Sequence, residues 1–196
     1  GPELMDLMKA QAVRWGTKLV ESDVTSIDAS KTPLEIKTLE GDLRSNSIII
    51  ATGASANRLG IINEELFWSK GISACAICDG ATPQFRDEEL AVVGGGDSAC
   101  EEAVYLTKYG SKVNLIVRSN KLKASAAMAD RVLANSKIKI HWNTSVTEAL
   151  GNDWLERIKV INTSSENGEL KVKGLFYAIG HTPNTSFLDK QISINE

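Results

Sequence analysis

The sequence is short of the features that would set it apart from an ordinary folded domain. It holds only three cysteines in 196 residues, Cys75, Cys78 and Cys100, which excludes the even-numbered disulfide scaffold of small secreted proteins. Basic residues are not in excess: 22 Lys and Arg stand against 25 Asp and Glu, for a formal net charge of -3. That balance argues against nucleic acid or an anionic membrane as the main partner, since both call for a concentrated basic face. Long apolar runs are missing too. Ile48-Ile49-Ile50-Ala51 falls far short of the ~20 residues a membrane-spanning helix requires. No secretory or transit segment is visible, so the expectation is a soluble, intracellular protein.

What is present reads as alternating strands and helices. Pro2 to Gly16 places Leu4, Leu7, Met8, Ala12 and Trp15 near one helical face, with proline suited to a first turn. Strand-like runs follow at Val24–Ile27, Leu34–Leu39 and Ser47–Ile50, with Gly41-Asp42 as a turn. Asn57 to Lys70 reads as a connector with a short helical piece. Leu90–Val93 predicts a buried strand, Asp97–Tyr109 a helix stopped by Gly110, and Val113–Val117 a second strand. A helix over 124–134, a strand at Ile138–His141, a hairpin of 157–163 with 169–173 around Glu166-Asn167-Gly168, and a strand at Leu175–Ile179 complete the pattern. This order predicts a doubly wound, Rossmann-like α/β domain.

The segment Leu90 to Ala99 fits G-x-G-x-x-A between a predicted strand and a predicted helix. The first glycine permits a tight turn, the second lets a pyrophosphate reach the backbone, and a small third residue allows close helix packing. The helix N-terminus then offers free N–H groups and a positive dipole end to phosphate. At the end of the next strand an NAD site usually carries Asp or Glu. Here Val117-Arg118-Ser119-Asn120-Lys121-Leu122-Lys123 supplies cations and no acid, which suits the 2′-phosphate of NADPH. A structural turn and a solvated basic loop are the plainer alternatives.

Cys75-Ala76-Ile77-Cys78 can close a small redox disulfide, and a thiolate in such a motif often has a lowered pKa. Asp79 follows directly and can serve the proton transfer that thiol–disulfide exchange requires. Zinc is the rival occupant, but it needs two more ligands. Only Cys100, His141, His181 and scattered carboxylates are on offer, without finger-like spacing, so no metal ligand is assigned. Cys100, inside the predicted helix, reads as a small buried hydrophobe.

Four segments together carry a resemblance. They are Ala51-Thr-Gly-Ala54, Gly71-Ile-Ser-Ala-Cys75-Ala-Ile-Cys78-Asp-Gly80, Gly94-Gly-Gly-Asp-Ser-Ala99-Cys-Glu-Glu-Ala103, and Gly174-Leu-Phe-Tyr-Ala-Ile-Gly-His-Thr-Pro-Asn184. In this order and spacing the chain resembles the low-molecular-weight, FAD-containing, NADPH-dependent thioredoxin reductases. Phe67-Trp68-Ser69 before the cysteine motif, with Gly174-Leu-Phe-Tyr177, looks closest to the plastid and cyanobacterial type known as NTRC.

The resemblance implies an NADPH-binding domain over 60–176 inserted in an FAD-binding domain made of 1–59 and 177–196. Electrons would pass from NADPH through FAD to the Cys75–Cys78 disulfide and on to thioredoxin or a fused thioredoxin domain, with Asp79 assisting proton transfer. NADPH would be held by Gly94, Gly95, Gly96, Asp97, Ser98, Ala99, Arg118, Ser119, Lys123, Ile179 and Gly180. Val24, Thr52 and Gly53 would form an edge of the FAD site. The family is commonly homodimeric and works in the cytoplasm or the plastid stroma. Two departures stand out. The family's first FAD glycine loop and its last FAD segment are not seen in 1–196, so the chain reads as an excerpt of a longer protein. The usual His-Arg-Arg-x-x-x-Arg clamp appears as Val117-Arg118-Ser119 to Lys123. Another electron donor, such as ferredoxin, and a nucleotide-binding fragment without turnover therefore stay open.

Overall fold

The structure, a computed structural model, describes residues 1–163, 166–189 and 191–193. They form two compact units: Gly1–Gly53 with the chain from Pro183 onward, and Ala54–Thr182.

The first unit begins with helix α1 (Pro2–Arg14), whose proline sits in the first turn, where a missing N–H costs no hydrogen bond. The apolar stripe expected on one face, including Leu4, Leu7, Met8 and Trp15, is exposed, and the helix buries no residue. Strands β1 (Val24–Asp28), β2 (Leu34–Thr38) and β3 (Gly41–Ser45) then make an antiparallel meander. Gly41 opens β3 at φ 142°, a conformation that favours glycine. The returning chain closes on β1. Gln191 accepts a hydrogen bond from the Ala29 N–H at 2.8 Å and donates to the Ile27 carbonyl at 2.6 Å. Among the described residues of this unit, Ile27 and Leu188 are the buried apolar ones.

The second unit holds β4 (Ala54–Ala56), α2 (Glu64–Phe67), β5 (Ile72–Ser73), α3 (Ala76–Asp79), β6 (Glu89–Val93), α4 (Asp97–Leu106), β7 (Lys112–Ile116), α5 (Ala126–Leu133) and β8 (Ile138–His141). It continues with β9 (Thr144–Gly151), β10 (Leu155–Asn162), β11 (Asn167–Lys171), β12 (Gly174–Tyr177) and β13 (His181–Pro183), the last paired with β4. The central sheet runs β5-β12-β6-β7-β8, with every neighbouring pair parallel. Strand alternation sorts its side chains into two cores. Leu90, Val92, Val113, Leu115 and Phe176 face α4 with Ala99, Ala103 and Leu106. Ala91, Val93, Ile116, Leu175 and Tyr177 face Val146, Ala149, Leu155, Ile158 and Val160 of the antiparallel sheet β9–β11. The α/β class stands, with helices covering one face and a β-sheet the other. Of the buried polar residues Glu64, Asn114 and Thr144, Asn114 is fully buried and bonded at both ends of its amide: to Glu89 at 3.1 Å and to the His141 ring at 3.0 Å.

Several local expectations are corrected. Ser47–Ile50 forms no strand; Ile49 is exposed, and no described strand pairs with the run. The expected turn at Gly41-Asp42 is instead the start of β3, which pairs with β2 from Thr38↔Gly41 to Leu34↔Ser45. Helix α4 ends at Leu106 rather than Tyr109, and the Gly110 N–H returns to the Leu106 carbonyl. Strand β9 was not expected. Asn167 and Gly168, expected in a turn, lie in β11; Ser164 and Ser165 are outside the described residues.

Candidate nucleotide cleft and redox pair

In an open parallel sheet, ligands bind beyond the carboxyl ends of the strands, where successive crossovers diverge. That point here lies between β6 and β12, because β7 and β8 extend the sheet to one side of β6 while the chain returns as β12 on the other. A cleft of about 640 Å³ opens there, lined by the loops after β6, β7 and β12, the start of β9 and residues 57–59.

Its floor is the glycine loop. Gly94 adopts φ 145°, and a Cβ on it would stand 2.4 Å from the Ala178 carbonyl oxygen and 2.8 Å from the Ala99 Cβ. Only glycine can bring the β12 loop and the small Ala99 this close. The Gly95 carbonyl accepts from the Lys123 N–H at 2.6 Å, tying the cationic loop to the glycine loop. A Cβ on Gly96, the residue capping α4, would meet nothing within 4 Å, so the space above the helix N-terminus is open to an anion.

The expected nucleotide residues divide. Gly94, Gly95, Gly96, Arg118, Ser119, Lys123 and Ile179 line the cleft, whereas Asp97, Ser98, Ala99 and Gly180 do not. Asp97 is engaged elsewhere. Its carboxylate accepts from the N–H of Ser125 at 2.9 Å and its hydroxyl at 2.8 Å, which holds its pKa below the ordinary value and ties α4 to the start of α5. Ala99 is fully buried and serves packing. Ser119 donates its hydroxyl to the Lys121 carbonyl at 2.8 Å, so that proton is already committed within the loop. Gly180 stands at φ 86° and accepts from the Asn57 N–H at 3.1 Å. Among the described residues no Asp or Glu lines the cleft, and its cations are Arg58, Arg118 and Lys123.

The cysteine pair stands at the end of β5. Cys75 and Cys78 are bonded, with Cα atoms 5.3 Å apart, and Cys75 caps the short helix α3. Cys75 is half-buried, while Ile77, Cys78 and Asp79 are exposed. Ser73 orders the site: its hydroxyl donates to Asp79 at 2.6 Å and accepts from the Cys75 N–H at 3.0 Å. Behind the pair, α3 packs closely on α4, since a Cβ on Gly80 would fall 2.5 Å from Leu106 Cδ2. Glu102 of α4 lies there with its Oε2 buried and unpartnered among the described residues. Burial pushes its carboxyl up to about 7, opposed by the Ala76 N–H and aided by the negative charge of Glu101. Cys100 is buried and unbonded, and burial raises its thiol.

In the first unit, Thr52 and Gly53 are clamped to Asn184. The Thr52 hydroxyl donates to the Asn184 carbonyl at 2.7 Å, and the Gly53 carbonyl accepts from the Asn184 N–H at 3.0 Å. Val24 opens β1, exposed and paired with Thr38 at a bulge.

Sequence reasoning passed over Arg58, Ser73, Glu102 and the buried Glu64. Glu64, one of two adjacent acids in Asn63-Glu64-Glu65, carries no sequence signal that sets it apart. It accepts the N–H groups of Leu59 at 3.0 Å and Gly60 at 3.2 Å and the Tyr177 hydroxyl at 2.7 Å, fixing the wall of the cleft.

The chain is 50% identical over 202 residues to thioredoxin reductase of Eremothecium gossypii, and 48% identical over 198 residues to NADPH-dependent thioredoxin reductase 3 of Arabidopsis thaliana. All of this chain is covered in both comparisons, and it spans 63% and 37% of those proteins, less than two thirds of either. Among solved structures it superposes on thioredoxin reductase from Giardia duodenalis with a TM-score of 0.80 at 40% identity, covering 100% of this chain and 64% of that one. The profile of the family described as pyridine nucleotide-disulphide oxidoreductase matches residues 8–196. With the glycine cleft and the bonded cysteine pair on one fold, the chain belongs to the pyridine nucleotide-disulphide oxidoreductase family.

Proposed function

We propose that this chain carries the NADPH-binding and disulfide-bearing part of a thioredoxin reductase. The observation that carries the proposal is one of placement. The glycine cleft and the Cys75–Cys78 bond both lie at the carboxyl edge of one parallel sheet, on β6 and β5, separated only by β12. Strand spacing makes that about 10 Å across the sheet. We assign 60–176 to the NADPH-binding domain and 1–59 with 177–196 to the FAD-binding domain; the breaks between compact units at 53/54 and 182/183 favour an insertion of this kind.

The residues present fit the nucleotide. Open space above Gly96 would take the pyrophosphate, and Arg118 and Lys123 would hold the 2′-phosphate, with no carboxylate among the described lining residues to compete. For FAD the fit is to a rim only: Val24, Thr52 and Gly53, the last at φ 68° in a backbone bracketed by Asn184. When bound, NADPH supplies a hydride and FAD relays its two electrons to a disulfide. The chain's own residues do the rest. Two-electron reduction breaks the Cys75–Cys78 bond, and Asp79, held by Ser73, is placed to deliver and recover the accompanying proton. One thiolate attacks the partner's disulfide and forms a mixed disulfide; the second displaces the reduced partner and closes the ring again. Exposed Ile77 and Cys78 present the pair to a protein surface.

The partner is thioredoxin, free or fused to the same chain, and the enzyme works as a homodimer in the cytoplasm or plastid stroma. No described helix is long and apolar enough to cross a membrane. The test is NADPH-dependent reduction of thioredoxin by the protein made from its complete coding sequence. Turnover that disappears in Cys75→Ser and Cys78→Ser supports the proposal. Turnover that survives both substitutions contradicts it.

A further inference from the structure

Arg58 lines the cleft but belongs to no nucleotide-binding motif in the sequence, and its surroundings are unusually fixed for an arginine. Its guanidinium lies over the Trp68 ring, 3.1 Å from the centroid. Trp68 meets the Tyr177 ring edge-on, with centroids 5.8 Å apart. The Tyr177 hydroxyl donates to buried Glu64, and Glu64 accepts the N–H groups of Leu59 and Gly60, the two residues that follow Arg58. The contacts therefore form a closed ring that begins and ends at the 58–60 backbone. Such a ring holds a planar cation in place before any ligand arrives, which reduces the ordering cost of binding.

The position of this cation is as informative as its rigidity. Asn57 bonds to the Ile179 and Gly180 carbonyls, so Arg58 is carried at the β12 end of the cleft. Arg118 and Lys123 follow β7, on the other side of the glycine loop. Cations thus flank Gly94–Gly96 from both sides. Among the described residues the anionic partner of Arg58 is Glu65, 3.5 Å away and mostly in water, so most of the five guanidinium N–H donors are left to a ligand.

We propose that Arg58 is a pyrophosphate-binding residue of the cleft, contacting the phosphate bridge that NADPH and NADH share rather than the 2′-phosphate that distinguishes them. The inference rests on the proposed nucleotide site and adds to it a division of labour. Arg58 sets affinity for any dinucleotide, and Arg118 sets preference among them.

Calorimetric titration of NADPH and NADH into the protein made from its complete coding sequence, unmutated and as Arg58→Gln and Arg58→Lys, tests it. Loss of a charge-assisted hydrogen bond should weaken NADPH and NADH alike in Arg58→Gln, by about ten- to a hundred-fold. Arg58→Lys keeps a charge on a stem of similar length and should lose less for both, provided that its melting temperature stays at the unmutated value. A loss confined to NADPH would place Arg58 on the 2′-phosphate and overturn the inference. Unchanged binding of both by Arg58→Gln would overturn it alone, leaving the nucleotide site standing. An unmutated protein that binds neither nucleotide would overturn the proposed function and this inference together.

Discussion

Glu102 gives the sharpest link between this structure and a pH-dependent measurement. Its carboxyl sits between α3 and α4 with one oxygen buried and unpartnered among the described residues, and burial raises it from an ordinary 4.5 to about 7. The folded protein therefore keeps this proton to higher pH than the unfolded chain does. Between these two values the native state binds more protons, so stability falls as pH rises through the window and levels off above about 7. Below 4.5 both states are protonated and the penalty is absent. For a dry site the difference would amount to ~3 kcal/mol, and solvent reaching a half-buried group reduces that to ~1–2 kcal/mol. Glu102→Gln is neutral at every pH and close in shape. It should raise Tm at pH 8 by about 2–8 °C in a chain of this size and leave it unchanged near pH 4.5. Melting curves of both oxidised proteins from pH 4.5 to 8.5 measure this. A difference that does not vary with pH, or a Gln variant that is less stable at pH 8, would refute the reasoning, since either result means a charged and well-partnered carboxylate.

Three further outcomes are expected. Gly94→Ala should abolish measurable dinucleotide binding in a titration, because the new Cβ would lie 2.4 Å from the Ala178 carbonyl oxygen at a φ of 145°. Tyr177→Phe should lower the unfolding free energy by ~1–3 kcal/mol in urea titrations, the cost of taking a hydrogen bond from the buried Glu64 carboxylate. Arg118→Ala should remove most of the preference for NADPH over NADH while NADH affinity stays nearly constant, read from the two dissociation constants.

The part of the fold most legible in sequence was β6-α4-β7. There strictly local signals agree: an apolar strand, a glycine turn, a helix stopped near Gly110 and a second apolar strand. Strand β9 was hidden because its buried positions do not keep a period of two. Thr144 and Val146 face inward, then a bulge opposite Lys159 and Val160 resets the alternation so that Ala149 is next. Ser47–Ile50 failed for the converse reason. An apolar run says that a strand would be stable if paired, and pairing is a property of the rest of the sheet. At the site, the glycines and cysteines announced themselves because their chemistry depends on spacing along the chain. Glu64 and Glu102 act through a contact distant in sequence or through burial, and Arg58 and Ser73 through contacts with Trp68 and Asp79 that no sequence motif prescribes, so a single polar residue in a connector or helix carries no mark of its role.

In the proposed function, reducing equivalents from a dinucleotide bound on the glycine loop reach the Cys75–Cys78 bond. The most direct measurement adds one equivalent of NADPH anaerobically to the protein made from its complete coding sequence, traps thiols with iodoacetamide and weighs the cysteine peptides. New labels are expected on both Cys75 and Cys78, none on buried Cys100, and no labelling of the pair in Gly94→Ala. A pair that stays oxidised in the unmutated protein, or that is labelled equally in Gly94→Ala, would contradict it.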